Sequence, residues 1–297
     1  MQVIPLAADS MGVRSMATFV ETKTVRLLID PGAVVAERRF GLSPHPLETA
    51  CLDCCRERIS LFAKSAHAII ITKYDVEHFS PDRPEWAANK RLIVKNPNLH
   101  VRPEIRTFAF EFLKTVRNNA SEIVFADGMS FTFGKTKLTF SESFALDPQE
   151  KTGGAILLAV EDDEEAFMYS SGIRGVYPDG AVAFLSSRPS TLIYLDGPLT
   201  QQSDRTAPKI PVGLMFKRIK KIILDSATPR VILDHHLLRD PRWRQRVEPL
   251  VQLALEKGIV LQTAAEYRGE EIMELEARRK TLYELHPFNR ENGGKSL

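Results

Sequence analysis

Between Ile69 and Pro81 the chain reads IIITKYDVEHFSP, an apolar run that breaks into a loop carrying Lys73, Asp75, Glu77 and His78. These side chains can hold a cation or carry a proton. They follow a β-branched run that predicts a buried strand. The spacing is that of a metal-binding loop, whereas most of the residue types are not. Three other predicted strands end in similar groups: LLID at Asp30, LIYLD at Asp196, and VILDHH at Asp234, His235 and His236. Polar strand ends gathered on one rim of a sheet can form a site, because side chains from separate elements meet there.

The elements that would position these groups follow from periodicity. MATFVET and VRLLIDPGA read as strands, the second closed by Asp30-Pro31-Gly32. In HPLETACLDCCRERISLFAK, residues Leu47, Cys51, Cys55, Ile59 and Phe62 recur at helical spacing after a proline start. PEIRTFAFEFLKTV predicts a helix with Ile105, Phe108, Phe112, Leu113 and Val116 on one face. The middle is β-rich. MSFTFGKTKLTFSE alternates on both sides of a glycine turn, and GGAILLAVEDDEEAFMYSS repeats the pattern around an acidic turn, so both predict hairpins. STLIYLDGP is a further strand. The last third returns to α/β character. PVGLMFKRIKKIIL has a stripe of Val212, Met215, Phe216, Ile219, Ile222 and Ile223; RVEPLVQLALEKG is a helix closed by Gly258; IVLQTA is a strand; IMELEARRKTLYEL is a final helix. Alternating strands and helices at both ends, with hairpins between, predict two packed sheets with helices outside, an α/β four-layer αββα sandwich.

The 297 residues suffice for one large domain, and no linker divides them, so 1–297 reads as a single domain with a frayed tail at about 288–297. A formal charge of +2 argues against holding nucleic acid or a membrane by bulk electrostatics. No apolar stretch approaches the roughly 20 residues of a membrane span, and the N-terminal segment lacks the pattern of a secretory signal. Three cysteines make no paired disulfide framework. The expected location is cytoplasmic.

The segments SMGVRSMATFVET, VRLLIDPGA, AIIITKYDVEHFSP, LIYLDGP and VILDHHLLRD together resemble the metallo-β-lactamase superfamily, in particular an uncharacterised archaeal-type branch of predicted metal-dependent hydrolases. The resemblance runs from Met1 to about the EARRKTLYEL helix. It implies the αββα fold of that superfamily, a two-metal centre, and hydrolysis of a phosphoester, ester or amide. The family's loop is His-x-His-x-Asp-His. Alternate residues of an extended loop face one way, so the first two histidines grip one metal and the Asp-His pair reaches the second.

Placed on this chain, the family's first His falls on Lys73, the second on Asp75, the Asp on Glu77 and the last His on His78. The next His falls near Leu146, the bridging Asp on Gly172, and the final His on His235 or His236. Most ligands are therefore replaced. The resemblance makes this a hydrolase-like protein with a degenerate metal site; the alternative is a catalytically inactive member that binds a ligand or partner through the same cleft. If it is active, His78, His235 and His236 are the metal ligands, and Asp75, Glu77 and Asp196 serve as ligands or general base. Lys73, Arg14, Ser15, Gly172 and Asp234 line the pocket, and Asp30 supports the loop. Lys73 as an ammonium repels a cation, so no cofactor is expected. The lesser alternative is one divalent metal, manganese, magnesium or zinc. The partner is a small-molecule ligand or substrate of unknown identity, with no membrane and no nucleic acid. Lys73 is expected to form a salt bridge with Asp75 or Glu77, replacing metal charge.

Plainer readings compete at several positions. Cys51 and Cys55 read as buried helix cysteines, since a zinc ribbon needs a second pair. FGKTK is a hairpin turn and not a phosphate-binding loop, because strands flank it. Asp234, His235 and His236 read equally as a strand end with a helix cap until the resemblance favours site lining. The stretch RDPRWRQR, with Arg239, Arg242, Arg244 and Arg246 around Trp243, reads as a solvated helix start.

Overall fold

The structure, a computed structural model, describes residues 1–145, 154–163, 165–200 and 210–287. The first of its two sheets runs, in spatial order, β1 (Gln2–Pro5), β2 (Thr18–Glu21), β3 (Arg26–Ile29), β4 (Ala68–Ile71), β5 (Arg91–Val94) and β6 (Glu122–Phe125). The second runs β7 (Ser130–Phe133), β8 (Thr136–Phe140), β9 (Leu158–Asp162), β10 (Glu165–Tyr169), β11 (Leu192–Asp196), β12 (Arg230–Asp234) and β13 (Val260–Gln262). In each sheet the early strands pair antiparallel, and the last four, β3 to β6 and β10 to β13, pair in parallel.

The parallel strands need crossovers, and helices supply most of them. These are α1 (Pro46–Ser65), α2 (Pro103–Val116), α3 (Asp179–Leu185), α4 (Val212–Asp225) and α5 (Trp243–Glu256). Two short helices follow, α6 (Ala264–Tyr267) and α7 (Arg279–Leu285), and 3-10 turns cover Pro84–Ala87 and His235–Arg239. Three apolar clusters define the layers. Val20, Leu27 and Ile70 of the first sheet meet Leu158, Phe167 and Tyr194 of the second between the sheets. Leu28, Ile69 and Leu92 pack outward on Leu52, Ile59 and Phe112 of α1 and α2. Ile193, Leu195 and Val231 pack outward on Ile219, Ile223 and Leu250 of α4 and α5. This is the αββα sandwich. It explains the unbroken isoleucine run of β4: Ile70 faces the sheet interface while Ile69 and Ile71 face helices, so neither side meets water. Among the described residues no helix is long and apolar enough to cross a membrane.

The local rules account for most boundaries. His45 caps α1 by accepting from the Leu47 N–H, and Glu48 reaches back to the His45 N–H to close a capping box. Gly134 takes φ +59° in the β7–β8 turn. Both hairpins pair as expected.

Three expectations need correction. The buried face of α1 is Glu48, Leu52, Cys55, Ile59 and Ala63, while Leu47 is 45% exposed. The face is rotated because Glu48, an acid, is buried against Arg279, with Nε and Nη2 each 2.8 Å from its carboxylate. Cys55 is buried as expected, Cys51 is half-buried and Cys54 exposed. The final helix is much shorter than the periodicity predicts, only Arg279–Leu285. Before it, residues 270–278 form a strap along the N-terminal segment, where the Met273 N–H donates to the Ser10 carbonyl at 2.8 Å. The tail at 288–297 lies outside the described residues.

Candidate functional site

The chain leaves β3, β4, β10, β11 and β12 at one end of the sandwich, and these exits bring the polar strand ends together. The geometry places His78 and His235 with ring centroids 6.0 Å apart. Asp30 underpins the floor. Its Oδ1 accepts from the Thr72 N–H at 2.8 Å, and Oδ2 accepts from the Thr72 hydroxyl at 2.5 Å and the Tyr169 hydroxyl at 2.8 Å. Burial raises the Asp30 carboxyl, against the lowering pull of His78 and these donors.

The β4 loop is closed by contacts across to the second sheet. Lys73, 2% exposed, donates to the Gly172 carbonyl at 2.7 Å and pairs with Asp75 Oδ2 at 3.2 Å. The expected Lys73–Asp75 salt bridge is therefore present. His78 Nε2 accepts the Gly172 N–H at 3.0 Å, which places the ring proton on Nδ1, 2.5 Å from Asp75 Oδ1. Both ring nitrogens are thus engaged. A Cβ on Gly172 would stand 2.4 Å from His78 Nε2 and Cε1, so the backbone here passes too close for a side chain. Although burial opposes it, His78 and Lys73 hold the Asp75 carboxyl well below its usual range.

Glu77, His235 and His236 form a second group, with one ligand atom from each lying within 4.8 Å of the others. His236 Nδ1 is 2.9 Å from both Asp196 oxygens, and His235 Nδ1 is 2.7 Å from Asp9 Oδ2. Each carboxylate fixes its imidazole so that Nε2 faces inward, the support a metal-binding histidine normally has. The His235 Nε2 has no hydrogen-bond partner and stands 3.3 Å from Glu77 Oε2; the His236 Nε2 is 3.9 Å from the same oxygen. His235 (φ +67°) and Ser171 (φ +58°) take left-handed backbone here, a region that non-glycine residues use sparingly.

Two guanidiniums complete the group. Arg239 is buried, with Nε 2.7 Å from Asp9 Oδ1 and Nη2 2.9 Å from Glu77 Oε2. Arg14 Nη1 is 3.4 Å from Glu77 Oε1, and its Nε and Nη2 grip Glu276 of the strap at 2.6 and 2.7 Å. Burial would raise Glu77, but Arg239, His235 and Arg14 outweigh it and hold its carboxyl well below the usual range. Burial would likewise lower His235, but Asp9, Asp196 and Glu77 outweigh it and push the imidazole up to about 10. His236, desolvated and facing Arg239 and His235, is held well below its usual value and is neutral. Burial pushes the Asp196 carboxyl up to about 6.

The remaining expected residues play other parts. Asp234 does not line the pocket; it accepts from the N–H groups of Ser10 and His235 through Oδ1 and of Ala264 through Oδ2, tying three segments together as a helix cap. Ser15 is buried and donates to the Gly32 carbonyl, so it shapes the β3 exit. Leu146 lies outside the described residues. Arg239, grouped with a solvated helix start, is instead central to the site, and Trp243 is buried with its Nε1 donating to Glu274. Asp9 and Glu276 also belong to the site, and nothing in AADSMG or ELEARR marks them, because their partners lie more than 220 positions away in sequence. Arg239 had one signal: it follows His235 by four residues, about one helical turn.

Two half-parallel sheets with this rim of strand ends define a protein of the metallo-β-lactamase fold. Solved structures agree: the chain superposes on unliganded yeast PDE1 with a TM-score of 0.54 at 10% identity, covering 88% of this chain and 96% of that one. Zinc-bound PqqB of Methylobacterium extorquens gives 0.50 at 12% identity, covering 89% and 98%. In sequence it is 34% identical over 290 residues to a UPF0282 protein of Korarchaeum cryptofilum (97% of this chain, 96% of that one). It is 35% identical over 288 residues to one of Sulfurisphaera tokodaii (95% and 93%). The chain belongs to the UPF0282 family. No protein-family model matches it.

Proposed function

We propose that this chain is a metallo-β-lactamase-fold protein whose centre is neutralised by its own side chains, and that it acts as a ligand-binding protein and not as a two-metal hydrolase. The observation that carries this reading is Lys73, whose ammonium is locked between the Gly172 carbonyl and Asp75. An ammonium has no lone pair to give a metal and repels one. The donor chemistry for a two-metal centre does not fit: Gly172 offers no carboxylate, and both nitrogens of His78 are engaged. Access is narrow as well. Lys73, His78, His235 and Asp196 are buried, and the cavity beside Arg14 and Arg239 has a volume of about 10 Å³, room for about one water.

A second reading is favoured by one specific observation, the Nε2 of His235, which makes no hydrogen bond and faces Glu77 beside His236. Two imidazoles and a carboxylate fit one divalent ion, manganese, magnesium or zinc. Such an ion would supply Lewis-acid polarisation of a scissile ester or amide. Against it stand Arg239 and Arg14 on the Glu77 carboxylate and the proton that His235 holds.

The test is the metal content of protein purified without chelator, followed by calorimetric titration with zinc and manganese. Absence of binding by the folded protein supports the first reading. Stoichiometric manganese uptake that disappears in Glu77→Ala overturns it in favour of the second.

A further inference from the structure

The strap at residues 270–278 does more than cover the N-terminal segment. It carries Glu276 to the mouth of the site, where the carboxylate is gripped side-on by Arg14 through Nε and Nη2 at 2.6 and 2.7 Å. The Arg39 Nε lies 3.7 Å from the same carboxylate, on Oε1. The charged groups that line the small cavity behind it are Arg14 and Arg239 with Asp9, Glu48, Glu274 and Glu276, and each of the other three carboxylates already has a cationic partner in Arg239, Arg279 or Arg278. Two parallel N–H···O bonds are how guanidinium recognises a free carboxylate or a phosphate. The mouth is open to solvent in part, with the Arg14 side chain 23% and the Glu276 side chain 12% exposed.

The strap does not depend on Glu276 for its hold. Glu274 accepts from Trp243 Nε1 at 2.6 Å, the Met273 N–H reaches the Ser10 carbonyl, and Arg279 is anchored on Glu48. These contacts hold the strap independently of the Glu276–Arg14 pair.

We infer that Arg14 and Arg39 form an oxyanion-binding site, for a carboxylate or phosphate group, that Glu276 fills as an internal occupant. The inference deepens the ligand-binding reading by naming the chemical class of ligand. An incoming oxyanion takes the two hydrogen bonds of Arg14 and the Glu276 carboxylate turns to water. Competition with this tethered carboxylate keeps the affinity of the unaltered protein low, since an anion must displace a partner held at high effective concentration.

The test uses the full chain in EDTA, with inorganic phosphate and acetate as separate probes at matched ionic strength. Glu276→Ala and Glu276→Gln each remove the occupant, the second with little change of volume. Both should bind phosphate or acetate at least about tenfold more tightly than the unaltered protein, and Arg14→Met in either background should abolish the gain. The probe with the larger gain identifies the class. Folded variants with no gain, or a gain that survives Arg14→Met, overturn the inference. Should neither variant fold, the unaltered protein decides: its Tm should rise with the phosphate or acetate concentration beyond that in matched chloride, and no rise overturns the inference. Because metal is absent throughout, failure here leaves the reading of the centre standing, while metal uptake by the centre leaves the oxyanion result standing.

Discussion

Lys73, on the exit of β4, reaches across to the second sheet and donates to the Gly172 carbonyl at 2.7 Å. One side chain thereby joins the two sheets at the rim where the strand ends meet. Replacing it with Met keeps the length and removes the charge, leaving the buried Gly172 carbonyl without this donor and Asp75 with only His78 and the Glu77 N–H. We expect a loss of about 1–3 kcal/mol in urea unfolding. A loss within error would show that the ammonium is not what closes the centre.

Gly172 is required for a different reason. A methyl there would meet the His78 ring at 2.4 Å, and the ring is fixed by Asp75 and by the Gly172 N–H itself. Gly172→Ala should destabilise by about 1–3 kcal/mol, the usual result of overpacking. Unchanged stability would mean that the ring moves freely.

The charge state of His235 gives a pH signature in chelator-treated protein. Its imidazole is raised to about 10, against an ordinary value of 6.5. The folded state holds this proton more tightly than the unfolded state, so the contribution to stability is complete below about pH 6.5 and fades as pH rises toward 10. Stability of the unaltered protein should therefore fall over this interval more steeply than that of His235→Gln. The His235 ring signals in NMR should not titrate between about pH 5 and 8. A midpoint near 6.5 would refute the ion pairing with Asp9 and Glu77.

Arg279 and Glu48 make a buried bidentate pair between α7 and the first turn of α1, and both are essentially without exposure. Removing one partner leaves a charge in the interior. Arg279→Met should cost about 3–5 kcal/mol, while the joint change Arg279→Met with Glu48→Gln should recover part of that loss. Equal losses in the single and double variants would argue against direct pairing.

The sheets were legible in the sequence because burial on both faces leaves a mark. The run AIII admits no polar residue and LIYLD no charged one before its final Asp196, and the hairpins alternate around turns with an evident glycine or acidic centre. β1, β5 and β6 escaped notice: each has four residues, two of them begin with a charged side chain, and β6 is a half-exposed edge. Within the site, the strand-end residues could be read because local pattern places them. Asp9 and Glu276 could not, and Arg239 only through its spacing from His235, since what makes them part of the site is contact between distant segments. The α1 stripe was misplaced for the same reason: the residue that rotates the helix, Glu48, is polar and buried only through Arg279. Periodicity alone counts it as a surface position.

The pairing of Asp9 with His235 and Arg239, and of Ser10 with Asp234 and Met273, joins segments more than 220 positions apart. Such contacts close the longest loops of the fold, so their entropic cost must be met before their bonds can form. The rim should therefore set late in folding, after each sheet has paired its neighbouring strands.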